Sequence, residues 1–137
     1  MIANTEAFSG YLDRLGVAYK YIERHGKSDL ILLKYRMERD RNIEVMVFFD
    51  QDNENVSFRC YTGIRPEKSN YSRAISILND LNMSYRGIKY YLNDEIIVAG
   101  DFIVGDDSTQ IVCYKYLECF VNVINETYDN ILQVLFR

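Results

Sequence analysis

The 137-residue chain has no tryptophan, one proline (Pro66), one histidine (His25) and seven glycines. So little proline and glycine leaves no stretch fit to serve as a linker, and the length suits one domain with its own core. A single domain over residues 1–137 is therefore expected. Without a second histidine most zinc-ligand spacings are excluded. The three cysteines, Cys60, Cys113 and Cys119, are an odd number. The opening stretch MIANTEAFSGYLDRLG lacks the basic and unbroken apolar parts of a signal peptide. A reducing cytoplasm is the expected setting. No apolar run approaches the roughly 20 residues that a bilayer-spanning helix needs, so no membrane partner is expected.

Positive charge is also scarce. The net charge is -4 and the isoelectric point about 5.0, so long-range attraction to nucleic acid is missing and no nucleic-acid partner is expected. Lys34, Arg36, Arg39 and Arg41 are interrupted by Glu38 and Asp40, the pattern of a solvated hairpin end.

What the chain does have is tyrosine: twelve, with seven phenylalanines. Tyrosine joins a large apolar ring to one polar tip and suits half-buried positions and interfaces, and it also favours strands. A first helix is expected over residues 5–15, with Asn4 or Thr5 as its cap, Phe8, Tyr11, Leu12 and Leu15 as its stripe, and Gly16 as its stop. Residues 17–22 read as a short extended segment. Three strands follow over 30–38, 43–49 and 56–62, with core faces Ile31, Leu33, Tyr35, Met37, then Ile43, Val45, Val47, Phe49, then Val56, Phe58, Cys60. Alternation broken by charged turns gives an antiparallel meander. A second helix spans 69–82 with Tyr71, Ala74, Ile75, Leu78 and Leu81 inward, then a hairpin over 85–104 turns at Asn93-Asp94. Ile111, Leu117, Phe120, Val121, Ile124, Tyr128, Ile131, Leu132 and Leu135 mark a final helix, with room for a break near Thr127.

Reactive groupings are few. His25 and Cys60 could meet only in space, and no glycine-rich elbow accompanies Cys60 or Ser9. The acidic stretch 50–55 fails the calcium-loop template, with Asn55 and Tyr61 where Gly and Glu are required. Asp106-Asp107 reads as a helix cap, and all three cysteines read as core or near-core. No catalytic residue, metal site or cofactor is expected, and the chain reads as no enzyme.

Leu78-Asn79-x-Leu81-Asn82, then Tyr85-Arg86-Gly87-Ile88-Lys89-Tyr90-Tyr91-Leu92 and a strand reaching Asp101 resemble the YbjN family. Phe120-Val121 and Tyr128-Asp129-x-Ile131 are similar to that family's ending. The resemblance implies an α+β fold of order α-β-β-β-α-β-β-α, like the class I type III secretion chaperones, with helices packed on a five-stranded, mainly antiparallel sheet. It also implies a regulator rather than an enzyme, and it carries over no catalytic residues. Chaperones of that fold are small acidic dimers that hold a partner's segment extended.

The outward faces of the strands are not uniformly polar: Leu30, Leu32, Met46, Phe48 and Tyr61 lie beside Lys34, Arg36, Glu44 and Arg59. Met46, Phe48, Tyr61, Tyr91 and Ile97 are accordingly expected to form a surface for a protein partner, a client segment or a homodimer mate. A small-molecule sensor with a tyrosine-lined pocket between helix and sheet is the alternative.

Overall fold

The structure, a computed structural model, describes residues 2–24, 28–51, 55–104 and 109–136. Its elements run α1 (Ala3–Leu15), β1 (Lys20–Ile22), β2 (Asp29–Met37), β3 (Arg41–Phe49), β4 (Asn55–Tyr61), α2 (Tyr71–Ser84), β5 (Ile88–Asn93), β6 (Glu95–Ile103) and α3 (Thr109–Leu135). The strands form one antiparallel sheet in the order β1-β2-β3-β4-β6-β5. The fold class is α+β, as expected, but the sheet has six strands rather than five. The extra one is β1, cut from the short extended segment: it pairs with Leu30–Leu32 at one edge, so backbone pairing recruits residues too few to show a period.

Register fixes which side chains face inward. Ile31, Val47, Phe58, Gly100 and Ile88 lie in one row across five strands, and all three helices pack on that side. Phe8 of α1 meets the Phe49 ring at 5.5 Å and Phe120 of α3 meets Phe58 at 5.6 Å. Gly100 is where the sheet must be thin: a Cβ there would lie 3.0 Å from the Phe102 ring and 3.3 Å from Phe120. The glycine lets α3 seat on the sheet.

Several boundaries and faces differ from those read in the sequence. Helix α1 begins earlier, after Ile2, and neither Asn4 nor Thr5 caps it. Thr5 is buried instead. Gly16 does end the helix, with φ 73° in the left-handed region. Along α2 the inward set is Ala74, Ile77, Leu78 and Leu81, whereas Ile75 is 57% exposed. The helix is wedged between β5 and α3, and that position rotates its buried stripe away from Ile75. In α3, Ile111 is exposed, and Cys113 and Val123 join the core. Helix α3 is unbroken over its 27 residues, about 40 Å at 1.5 Å per residue. Thr127 stays helical: its hydroxyl donates to the Val123 carbonyl at 2.8 Å and receives the buried Tyr90 hydroxyl. A residue that looks like a break is a polar tie between α3 and β5.

The start of the chain is tied to β2 through the buried Asp29. Its carboxylate accepts from the Ile2 amide at 2.7 Å and from the Tyr21 hydroxyl at 3.1 Å. Burial alone would raise its pKa, but these bonds outweigh burial and hold it below the usual carboxylate value. A depressed folded-state pKa contributes stability that is present above the unfolded pKa and is lost as pH falls through the folded one. Asp29→Asn keeps an acceptor but not the charge, so it should lower stability at neutral pH by about 1 kcal/mol. The gap between the two proteins should close below about pH 4. Urea melts across that range check it, and a gap that does not vary with pH refutes the ionic account.

Candidate functional site

Strand alternation sends a second set of side chains to the face away from the helices. One row there reads Lys20, Leu32, Met46, Arg59, Ala99, Lys89, and the next reads Ile22, Leu30, Phe48, Ser57, Asp101. No described helix lies over this face. Its middle is pinned by Arg59, which donates to both Asp101 oxygens at 3.1 and 3.2 Å, while Ser57 donates to Asp101 at 2.6 Å. On either side of this polar seam are apolar groups: Ile22, Leu30, Leu32, Met46 and Phe48, all half-buried, and then Tyr61, Ile97 and Tyr91. Antiparallel sheets commonly leave one face to water, but alternation then makes that face polar.

The five residues read from the sequence as a partner surface all project from this side of the sheet. Tyr61 and Tyr91 are 51% and 41% exposed. Met46 is half-buried, and so is Phe48, over whose ring the Arg24 guanidinium sits at 5.3 Å. Ile97 needs correction: it is 2% exposed and offers a partner almost nothing. Its register explains why. Strand β6 is interior, and Ile97 stands directly between Tyr61 on β4 and Tyr91 on β5. It is the floor beneath two tyrosines.

Beyond Tyr91 the sheet ends at β5, and α2 runs along that edge. Asn82 settles the edge locally: its side-chain amide donates to the Tyr90 carbonyl at 3.0 Å, and its oxygen accepts the Tyr90 N–H at 2.7 Å. A side chain here takes the place of a neighbouring strand, which is one way to blunt an open edge. Lys89 turns back to the carbonyls of Asn82 and Tyr85 at the end of α2. Farther along, α2 and β5 border an open cleft of about 500 Å³, lined chiefly by Tyr71, Ile75, Leu78, Asn79, Tyr91 and Leu92. Sequence periodicity assigned Ile75 to the core and did not anticipate Asn79 or Leu92 here. The Asn79-x-x-Asn82 spacing, which puts two amides on one helix face, was the available signal.

Two of the three cysteines are placed unfavourably for nucleophilic chemistry. Cys60 is fully buried in β4, and burial, with Glu95 and Glu44 adding to it, pushes its thiol up to about 12. At neutral pH it is a thiol and not the nucleophilic thiolate. Cys113 is also buried, and burial pushes it up to about 12. Cys119 corrects the expectation for the cysteines, since it lies exposed on the outer side of α3. Among the described residues no three of His, Cys, Asp or Glu converge as metal ligands would. His25, residues 52–54 of the acidic stretch, and Asp106-Asp107 lie outside the described residues. No described helix is long and apolar enough to cross a membrane.

Comparison with known proteins agrees with this architecture. The crystal structure of YbjN from E. coli, described as "a putative transcription regulator", superposes with a TM-score of 0.58 over 89% of each chain at 15% identity. That likeness speaks for the fold. No curated protein sequence matches the chain. The family model YbjN, described as "Putative bacterial sensory transduction regulator", matches residues 4–133. With nearly the whole chain inside that match, and with the α+β fold beside it, the protein belongs to the YbjN family.

Proposed function

We propose that this YbjN-family chain is a non-enzymatic regulatory module that works by taking a protein partner on its open sheet face. The observation that supports this reading most is the one-sided packing. All three helices sit on one face of the sheet, and the other keeps Tyr61 and Tyr91 exposed beside half-buried Met46, Phe48, Leu30 and Leu32. Tyrosine and methionine are enriched at protein interfaces, and apolar groups flanking a polar seam suit one. Such a module acts as an adaptor, holding a client segment or a second copy against the sheet.

Changing Met46 and Phe48 together to serine tests it. Both side chains point away from the core, so the fold should survive with an unchanged circular dichroism spectrum. Association should be lost, read as self-association by light scattering and as partner recovery in affinity capture from the native cell extract. Undiminished association by both measures removes the sheet face from consideration.

A second reading, a small-molecule sensor, is favoured by the cleft beside α2. Three tyrosines, Tyr71, Tyr90 and Tyr91, line it, and its volume of about 500 Å³ suits a small ligand.

A further inference from the structure

The hydrogen bonds of Asn82 show what the adjoining cleft is built to hold. In an antiparallel strand, a residue whose N–H and C=O both point away from its neighbour recurs every second position. Asn82 takes both groups of Tyr90, so Tyr90 is such a residue. Leu92 is therefore the next. Its register partner Ile96 agrees, because Ile96 spends its own N–H and C=O on the far side, on the Ile64 carbonyl and the Thr62 amide. The N–H and C=O of Leu92 thus point off the sheet edge toward α2, where Leu92 lines the cleft, and no described side chain takes them as Asn82 takes those of Tyr90.

We propose that the cleft between α2 and β5 binds a neutral small molecule through a carboxamide or lactam edge. That edge pairs with the Leu92 backbone, repeating what Asn82 does at Tyr90. The ligand's carbonyl accepts the Leu92 N–H and its N–H donates to the Leu92 C=O. The body of the ligand is apolar or aromatic and rests among Tyr71, Ile75, Leu78 and Tyr91. Asn79, one turn before Asn82, brings a further carboxamide to the same wall. An anionic ligand is disfavoured, because the lining contains the Asp94 carboxylate and no lysine or arginine. This assignment rests on the sensor reading above and adds the ligand's chemistry to it.

Benzamide, N,N-dimethylbenzamide and benzoate, titrated separately into the nitrogen-labelled protein, test it by amide NMR. Benzamide should shift the Leu92 backbone amide and the Asn79 side-chain amide. It should bind about tenfold more tightly than the dimethyl compound, which lacks the donor, a factor equal to one ordinary hydrogen bond. Benzoate, two acceptors and a negative charge, should bind more weakly still. If all three shift the cleft residues equally, the cleft takes aromatic bodies but the amide assignment is wrong. If none shifts them while the spectrum is that of the folded protein, the sensor reading fails together with it.

Discussion

Phe58→Ala should lower stability by about 3–5 kcal/mol, the usual loss for a buried phenylalanine that leaves a cavity. Phe58 is fully buried in β4, with the Phe102 ring at 5.3 Å and the Phe120 ring at 5.6 Å. Its cross-strand neighbours are Val47 and Gly100. The glycine matters most, because it has no side chain that could move into the space. Phe102 is also engaged, stacked on Tyr116 with centroids 4.1 Å apart. The cavity should therefore stay open, and the loss should sit at the upper end of the range. Set against a total of roughly 5–15 kcal/mol for a domain of this kind, that is a large share. Urea denaturation should show a lower midpoint at an unchanged slope. A loss under about 1.5 kcal/mol would mean that α3 settles onto the sheet and that the packing is less rigid than described.

Asn82→Ala is the second large effect, about 2–3 kcal/mol, and its origin is polar. Two backbone groups of Tyr90 lose their partners at once, and an orphaned backbone group costs more than an average hydrogen bond contributes. Asn82→Asp should cost about as much despite its similar size, because a carboxylate can accept from the Tyr90 N–H but meets the Tyr90 carbonyl as a second acceptor. The Tyr90 amide should exchange with deuterium faster in both variants. Both should also associate more as concentration rises, since an uncapped edge strand is free to pair. Unchanged exchange at Tyr90 together with unchanged stability would show that water replaces the side chain at little cost.

How legible these features were in the sequence depends on how local they are. Inward faces such as Ile31-Leu33, Val45-Val47 and Val56-Phe58-Cys60 follow from alternation alone, because each residue's side is set by its own strand. The turn at Asp94, with φ 62°, and the helix stop at Gly16 are equally local. Ile97 was not legible: its outward direction follows from alternation, but its burial depends on β6 being an interior strand with a tyrosine on each side. Ile75 and Ile77 are nearly indistinguishable in a helical pattern, and only the seat of α2 between β5 and α3 separates them. Strand β1 is three residues long and exists because Leu30–Leu32 had an open side.

By itself, then, the sequence determined the α+β class, the order of its principal elements, the meander and the hairpin, and the resemblance to the YbjN family. Periodicity, turns and caps are written within a few residues of one another. Tertiary structure alone decided which edge Asn82 closes, which backbone groups of β5 stay open, and which face of the sheet is left without helices. Those depend on strand order and helix seating, which join residues distant in the chain. Both candidate binding regions lie where that long-range packing stops.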